Sequence, residues 1–249
     1  MNNMLRNVVA CSAVVVGLFS AHANATVVIG GTRIVYPADE KEVTVKLSNE
    51  GTVPGLVQVW LDDGDEKSTP DTAKVPFTVA PPIFRMDGGK GQAVRLMYTG
   101  EPLPTDKESL FWVNVLEVPP KAENKEGRNM LQFAFRTRIK LFFRPTKLVG
   151  DVDQAPTKLS WKLIAPEAGK DVALQVSNPT PYHVNFAKVG LGINEKTVGD
   201  EGGGMVAPGQ SATFPLKGLT HMPSGDVKAD FTVITDYGSL VKMEAPLAR

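Results

Sequence analysis

The sequence predicts an all-β protein made of two successive β-sandwiches, and three observations carry that prediction. From Thr26 onward apolar residues recur with period two, with almost no sustained period of 3.6. The 23 glycines and 19 prolines divide the 249 residues into short runs with turn chemistry between them. The alternation lapses once, in "RPTKLVGDVDQAP" at 144–156, before a second series begins.

Residues 1–25 read as a secretory signal. Arg6 supplies the positive start, Val8 to Ser20 is largely apolar, and Ala23-Asn24-Ala25 fits a small-x-small cleavage site. The apolar run is too short to span a bilayer. Cleavage would leave a chain from Thr26 to Arg249, and the A-x-A site points to bacterial-type export. The single cysteine, Cys11, lies inside the signal, so the exported chain carries no thiol for an oxidising compartment to act on. Thr26 rather than a cysteine follows the cut, so a lipid anchor is not expected and the exported chain should be soluble. Lys plus Arg and Asp plus Glu number 27 each, a balance that gives no broad field toward nucleic acid or anionic lipid.

In the first series the runs are Arg33 to Tyr36, Glu42 to Asn49, Leu56 to Asp62, Phe77 to Val79, Gln92 to Tyr98 and Leu110 to Val118, followed by a long segment at 131–145. Seven antiparallel strands in that length are the count of an immunoglobulin-like sandwich. In the second series they are Lys158 to Ile164, Asp171 to Ser177, His183 to Leu191, Ser211 to Pro215, Asp226 to Thr235 and Leu240 to Glu244. The expected division is therefore 26–146 for the first domain, 147–155 for a linker and 156–249 for the second. "NPTPY" at 178–182 reads as a tight turn, with the isomers of Pro179 and Pro181 left open.

No catalytic constellation emerges. Beyond the signal only His183 and His221 remain, and both are expected as ordinary surface or turn residues; no metal-ligand spacing or nucleophile elbow accompanies them. "GGKGQ" at 88–92 and "DEGGGM" at 200–205 read as hairpin turns rather than phosphate loops. "DDGDE" at 62–66 lacks the spacing of a calcium loop and is expected to be solvated. No metal and no cofactor is expected.

The segment "LQFAFRTRIKLFFRP" at 131–145 is the most informative. Leu131, Phe133, Phe135, Thr137, Ile139, Leu141 and Phe143 share one face; Arg136, Arg138, Lys140 and Arg144 share the other. The alternation runs more than twice the usual strand length of roughly 5 to 6 residues, so part of it should extend past its own core. Each large apolar side chain left in water forgoes on the order of 1.5–3 kcal/mol, so Leu131, Phe133 and Phe135 are either local core or a docking ridge. For Arg136 and Arg138, a solvated face and pairing with carboxylates both fit.

"TRIVYP" at 32–37, "ESLFWVNVLEVPP" at 108–120, "LQFAFRTRIKLFFRP", "NPTPY" and "TDYG" at 235–238 together resemble the periplasmic pilus chaperones of the chaperone-usher pathway. The resemblance covers both domains. It implies two immunoglobulin-like β-sandwich domains set in an L. It also implies donor-strand complementation, in which a fimbrial subunit lacking its last strand borrows one, main-chain bonds giving affinity and alternate side chains filling pockets. The lent row would be Leu131, Phe133 and Phe135, continued by Ile139. Arg33 and Lys140 match the positions that bind the subunit's C-terminal carboxylate; Glu108, Arg144 and Asp236 match the interdomain salt bridge. The loop of about ten residues before the long segment resembles the short-loop branch of the family. The implied partners are pilus subunits and an outer-membrane usher, in the periplasm, and the exposed ridge invites capping by a second copy of the chain. Two rivals stand beside this reading: a sandwich that binds carbohydrate through Trp60, Trp112 or Trp161, and a periplasmic hydrolase. The neighbours of the three tryptophans favour core positions.

Overall fold

The computed structural model describes residues 26–121, 131–166, 171–193, 196–200 and 202–248. The expected signal segment, and most of the polar loop before Leu131, lie outside the described residues. No helix among the described residues is long and apolar enough to cross a membrane.

The first sandwich contains β1 (Val27–Ile29), β2 (Arg33–Pro37), β3 (Val43–Asn49), β4 (Gly55–Asp62), β5 (Phe77–Ala80), β6 (Ile83–Met86), β7 (Gly91–Tyr98), β8 (Ser109–Val118) and β9 (Phe135–Arg144). One sheet has the order β1-β3-β7-β5, the other β2-β9-β8-β4-β6. Two strands exceed the seven read from the alternation. The chain changes sheets at Gly30-Gly31, so β1 pairs with β3 while β2 pairs with β9. Ile83–Met86 follows two prolines, which hid it, and pairs with the edge of β4. "GGKGQ" is a turn with Gly89 at φ 68°, but it joins β6 to β7 across the two sheets and is not a hairpin.

A 3-10 helix (Ala155–Lys158) leads into the second sandwich: β10 (Ser160–Ile164), β11 (Ala173–Ser177), β12 (Val184–Ile193), β13 (Lys196–Asp200), β14 (Gly204–Val206), β15 (Ser211–Pro215), β16 (Val227–Ile234) and β17 (Leu240–Pro246). Its sheets are β10-β11-β15 and β13-β12-β16-β17, with β14 also on β12. "DEGGGM" is therefore not a hairpin between paired strands; it carries the chain from β13 to β14 along one edge of β12. Alternation gives no warning of β13, because Gly190 and Gly199 face each other in the ladder. A Cβ on Gly199 would stand 2.4 Å from the Gly190 Cα.

Each sandwich closes its own core. The first packs Tyr36, Val57, Leu96, Val113, Leu141 and Phe143, with Phe77 meeting Tyr36, Tyr98, Phe111 and Phe143 at ring-centroid distances of 5.0–6.1 Å. The second packs Trp161 against Phe231 and Phe186, with Leu148 and Val152 of the connecting stretch laid against it. In "NPTPY" the buried Asn178 donates to the Tyr182 carbonyl at 2.7 Å and accepts from the Thr180 N–H at 3.0 Å, fixing the turn. The one cis peptide among the described residues is Ala80–Pro81, so Pro179 and Pro181 are trans.

The outer face of the β9 sheet corrects one expectation and decides between two alternatives. Asp62 is not solvated: it is buried, pairs with Arg138, and accepts from Asn114 Nδ2 at 2.7 Å. Burial would push its carboxyl up, but the bonds from Arg138, Asn114 and the Gly64 N–H outweigh that and hold it below the usual carboxylate value. For Arg136 and Arg138 the carboxylate alternative holds, since both lie on Asp62. Arg136 stacks on Trp60 at 4.8 Å and Arg138 on Trp112 at 4.5 Å, and Arg136 also bonds Asn114 Oδ1 at 2.9 Å. Asp62→Ala strands the Arg138 guanidinium on this face and should cost about 3 kcal/mol. The check is urea unfolding followed by Trp60 and Trp112 fluorescence, in which Asp62→Ala combined with Arg138→Leu should recover part of the loss.

Candidate functional site

Strand β9 ends at the junction between the domains, and its side chains there alternate between one core and the other domain. Arg144 donates through Nε to Glu108 Oε1 at 2.6 Å, and through Nη1 and Nη2 to the two Asp236 oxygens at 2.7 and 3.1 Å. Glu108 immediately precedes β8 in the first domain, whereas Asp236 sits in the β16–β17 turn of the second, so one planar fork spans the boundary. Both carboxylates raise the Arg144 pKa against the opposing effect of burial.

Glu108 does more. Its backbone N–H donates to the Pro181 carbonyl at 3.0 Å, and its Oε2 accepts from the His183 N–H at 2.7 Å. The ring of His183 is buried, with Nδ1 3.1 Å from the same oxygen and the Phe142 ring tilted against it at 5.3 Å. His183 is thus an interdomain residue and not the surface or turn residue expected of it, while His221 is exposed and bonds Thr220. The sequence held no signal for His183, since a single histidine beside a turn has no pattern. The sheet register could not be read either, because Glu108 meets the "NPTPY" turn only after both domains have folded.

Arg33 and Lys140 lie opposite each other in the parallel β2–β9 ladder. Lys140 Nζ donates to Asn185 Oδ1 at 2.6 Å, and Arg33 Nη1 to the Ile234 carbonyl at 3.1 Å; both acceptors belong to the second domain. The Arg33 Nε is buried and has no partner among the described residues. Burial, and next the positive charge of Arg33, push the Lys140 ammonium down to about 8. Burial also lowers Arg33, with Asp236 partly opposing it. Two cations are therefore desolvated side by side with neutral acceptors only, an arrangement suited to receive an anion. Their acceptor residues Asn185 and Ile234, together with Arg144 and Asp236, line a cavity of about 340 Å³ between the domains, to whose wall neither cation itself contributes. Among the described residues no cluster of His, Cys, Asp and Glu could hold a metal ion.

At the other end of the long segment, Leu131, Phe133 and Phe135 are 87%, 63% and 36% exposed. They are not local core. The strand is shorter than its alternation, beginning at Phe135; Gln132 before it is tied to the Pro119 and Pro120 carbonyls at 2.8 and 3.0 Å. Residues Phe135 to Ile139 pair with β8 on one side, while β2 joins the other side only from Lys140, leaving a free backbone edge. Ile139 does not continue the exposed row. It is 8% exposed and packs in the first core, because the opposite sheet already covers β9 at that point. Alternation cannot show where such cover begins.

The family pattern for the N-terminal domain of pili and flagellar-assembly chaperones of the PapD type matches residues 26–149, and that for the C-terminal domain of PapD pili-assembly chaperones matches 154–245. The chain belongs to this chaperone family. It is 44% identical over 232 residues to the probable fimbrial chaperone YadV of Escherichia coli K12, covering 92% of this chain and 93% of YadV. It is 41% identical over 245 residues to the chaperone FimB/FhaD of Bordetella pertussis, covering 97% and 96%. The crystal structure of YadV superposes with a TM-score of 0.75, covering 90% of this chain and all of that one. That of the Salmonella enterica SafB chaperone in complex with SafA pilin gives 0.72 at 30% identity, covering 91% and 99%.

The Arg144 fork makes a measurable demand on the junction. Arg144→Ala leaves the Glu108 carboxylate, 1% exposed, without its cation. With one spin label on each sandwich, the distance distribution should broaden markedly; the opened junction readmits water to the Glu108 carboxylate, so the urea midpoint of each sandwich's tryptophan signal should fall by less than in Asp62→Ala.

Proposed function

We propose that this protein is a periplasmic chaperone that captures fimbrial subunits, completes their fold by lending the free edge of β9, and passes them to an outer-membrane usher. The observation that carries the reading is the junction of two features on one strand. An unpaired edge with exposed Leu131, Phe133 and Phe135 runs directly into the cation pair of Arg33 and Lys140. A strand laid along that edge would gain backbone hydrogen bonds, fill pockets with the exposed side chains and place a terminal carboxylate on the cations. Glu108, Arg144 and Asp236 keep the two domains at the angle that holds this cleft open. The relative SafB is a chaperone in complex with a pilin, which supports a subunit as the guest here.

In this reading residues 1–25 are removed on export, the domains divide at the stretch 147–155, and the free chaperone caps its ridge with a second copy. The handover to the usher is exchange of one strand for another, with no bond made or broken. The carbohydrate alternative loses its platforms: Trp60 and Trp161 are buried, and Trp112 lies beneath Arg138 and Lys140.

Co-expression with a fimbrial subunit and purification of the complex tests the reading. Lys140→Ala removes a charge-assisted bond worth about 1.5–3 kcal/mol and should lower subunit affinity roughly 10- to 100-fold without unfolding the chaperone. Phe133→Glu should lower capture by at least about 10-fold. Wild-type yields from both variants would end the proposal.

The pH dependence has a defined sign. An anion beside Lys140 raises its pKa above the free value of about 8, so affinity is full below pH 8. Above it, affinity should fall by up to about tenfold per pH unit until the pKa of the bound state is passed. Titration calorimetry between pH 6.5 and 9.5 checks this, and Lys140→Arg should flatten the profile.

A further inference from the structure

The cation pair is not completed by the first domain alone. Lysine has donors and no acceptor, so the 2.6 Å contact with Asn185 requires the amide oxygen to face Lys140. The NH₂ end of the same amide is then a donor with no other bond among the described residues, on a residue that also lines the interdomain cavity. Asn185 is 4% exposed and sits on β12, next to the register pair of Phe186 with Val233 on β16, whose following residue Ile234 holds Arg33. The two contacts are therefore made by adjacent strands of one rigid sheet.

We propose that Asn185 is a positioning and specificity residue of the carboxylate seat: its Oδ1 aims the Lys140 ammonium across the domain boundary, and its Nδ2 donates to the carboxylate that the two cations receive. The assignment rests on the proposed function for the identity of the guest, and on geometry alone for the aiming of Lys140. Neutrality is the chemical point. An acidic side chain at this position would pair with Lys140 itself and exclude the incoming anion, whereas an amide orients the cation, leaves its charge uncompensated and adds a donor. The other charged groups around Lys140 are Arg33 on β2 and Arg138, which shares the face of Trp112 with it; Asp236 acts on Arg33. None of these can take the place of the amide at its 2.6 Å position.

The test uses the full chaperone, as wild type, Asn185→Leu and Asn185→Asp. Two readouts are made: titration of the Lys140 ε-carbon by NMR in the free protein, and binding of a peptide with the last twelve residues of a fimbrial subunit, as free acid and as C-terminal amide. Asn185→Leu should move the Lys140 midpoint downward and reduce the preference for acid over amide about tenfold. Asn185→Asp, which keeps the shape, should move the midpoint upward and abolish the preference while the melting temperature holds. An unchanged midpoint together with an unchanged preference in both variants overturns the proposal. If the wild type itself fails to prefer the acid, the reading of the guest fails, and the Lys140 titration still decides whether Asn185 aims that side chain. Should Asn185→Leu fold poorly, the aspartate variant carries both readouts alone.

Discussion

Two positive charges are kept next to each other in a half-desolvated cleft without a carboxylate bonded to either, and much of the molecule can be understood as the means of keeping them so. Arg33 and Lys140 sit opposite in a parallel ladder, so their separation is set by backbone hydrogen bonds and not by side-chain choice. The carboxylates at the junction, Glu108 and Asp236, are committed to Arg144, which donates to both through its planar fork. Asp236 reaches Arg33 only through space. Were Arg144 absent, those carboxylates would be free to neutralise the pair, so the fork fixes a domain angle and also protects a charge. Ion networks of this kind give little net stability after desolvation, and their value here lies in specificity of arrangement.

Strand β9 organises the rest because its two faces and its two edges each have a separate task. Its inner face supplies Ile139, Leu141 and Phe143 to the first core; its outer face supplies Arg136 and Arg138 to the stack on Trp60 and Trp112. One edge is paired with β8 throughout, and the other is closed by β2 only from Lys140 onward. The position where β2 begins is therefore also the position where the free edge stops, and the cations stand at that corner. The Asp62 network stiffens the strand just before the corner, with Asp62 bonded to Arg138 two residues from Lys140.

How much of this was legible in the sequence follows from which signals have a local cause. Period two located most strands, and the lapse near 150 separated the two cores, because both depend on residues next to one another in the chain. The strands β1, β6, β13 and β14 were lost where glycine removes side chains or proline interrupts a run. Burial of Asp62 and His183 was invisible for a different reason: each is covered by residues distant in the chain, and single polar residues have no periodicity to betray it. Ile139 shows the limit most directly. It continues the alternation of Phe133 and Phe135 without a break, yet the opposite sheet covers it and leaves them bare. Arg33 and Lys140 fall within the motifs that carry the family resemblance, while Asn185 lies three residues past "NPTPY" and in none of them.

A free strand edge flanked by exposed Leu131 and Phe133 is an aggregation hazard that most β proteins remove with a bulge, a proline or an inward charge. Here those devices are missing from the edge itself, and the protection is placed elsewhere. The cationic face of the same strand is locked down on tryptophan and Asp62, so the segment cannot roll over to hide its apolar row in its own sandwich. Gln132 ties the chain ahead of the strand to two prolyl carbonyls, which keeps the row presented rather than collapsed. On the proposed function the corner cations set a condition on what binds: a strand that fits the edge without bringing an anion to the end of it fails to relieve the buried, unpaired Arg33 Nε, and so forgoes about 1–3 kcal/mol. On the proposed function, selectivity against casual β-pairing comes from the same unneutralised charge that rewards the right guest.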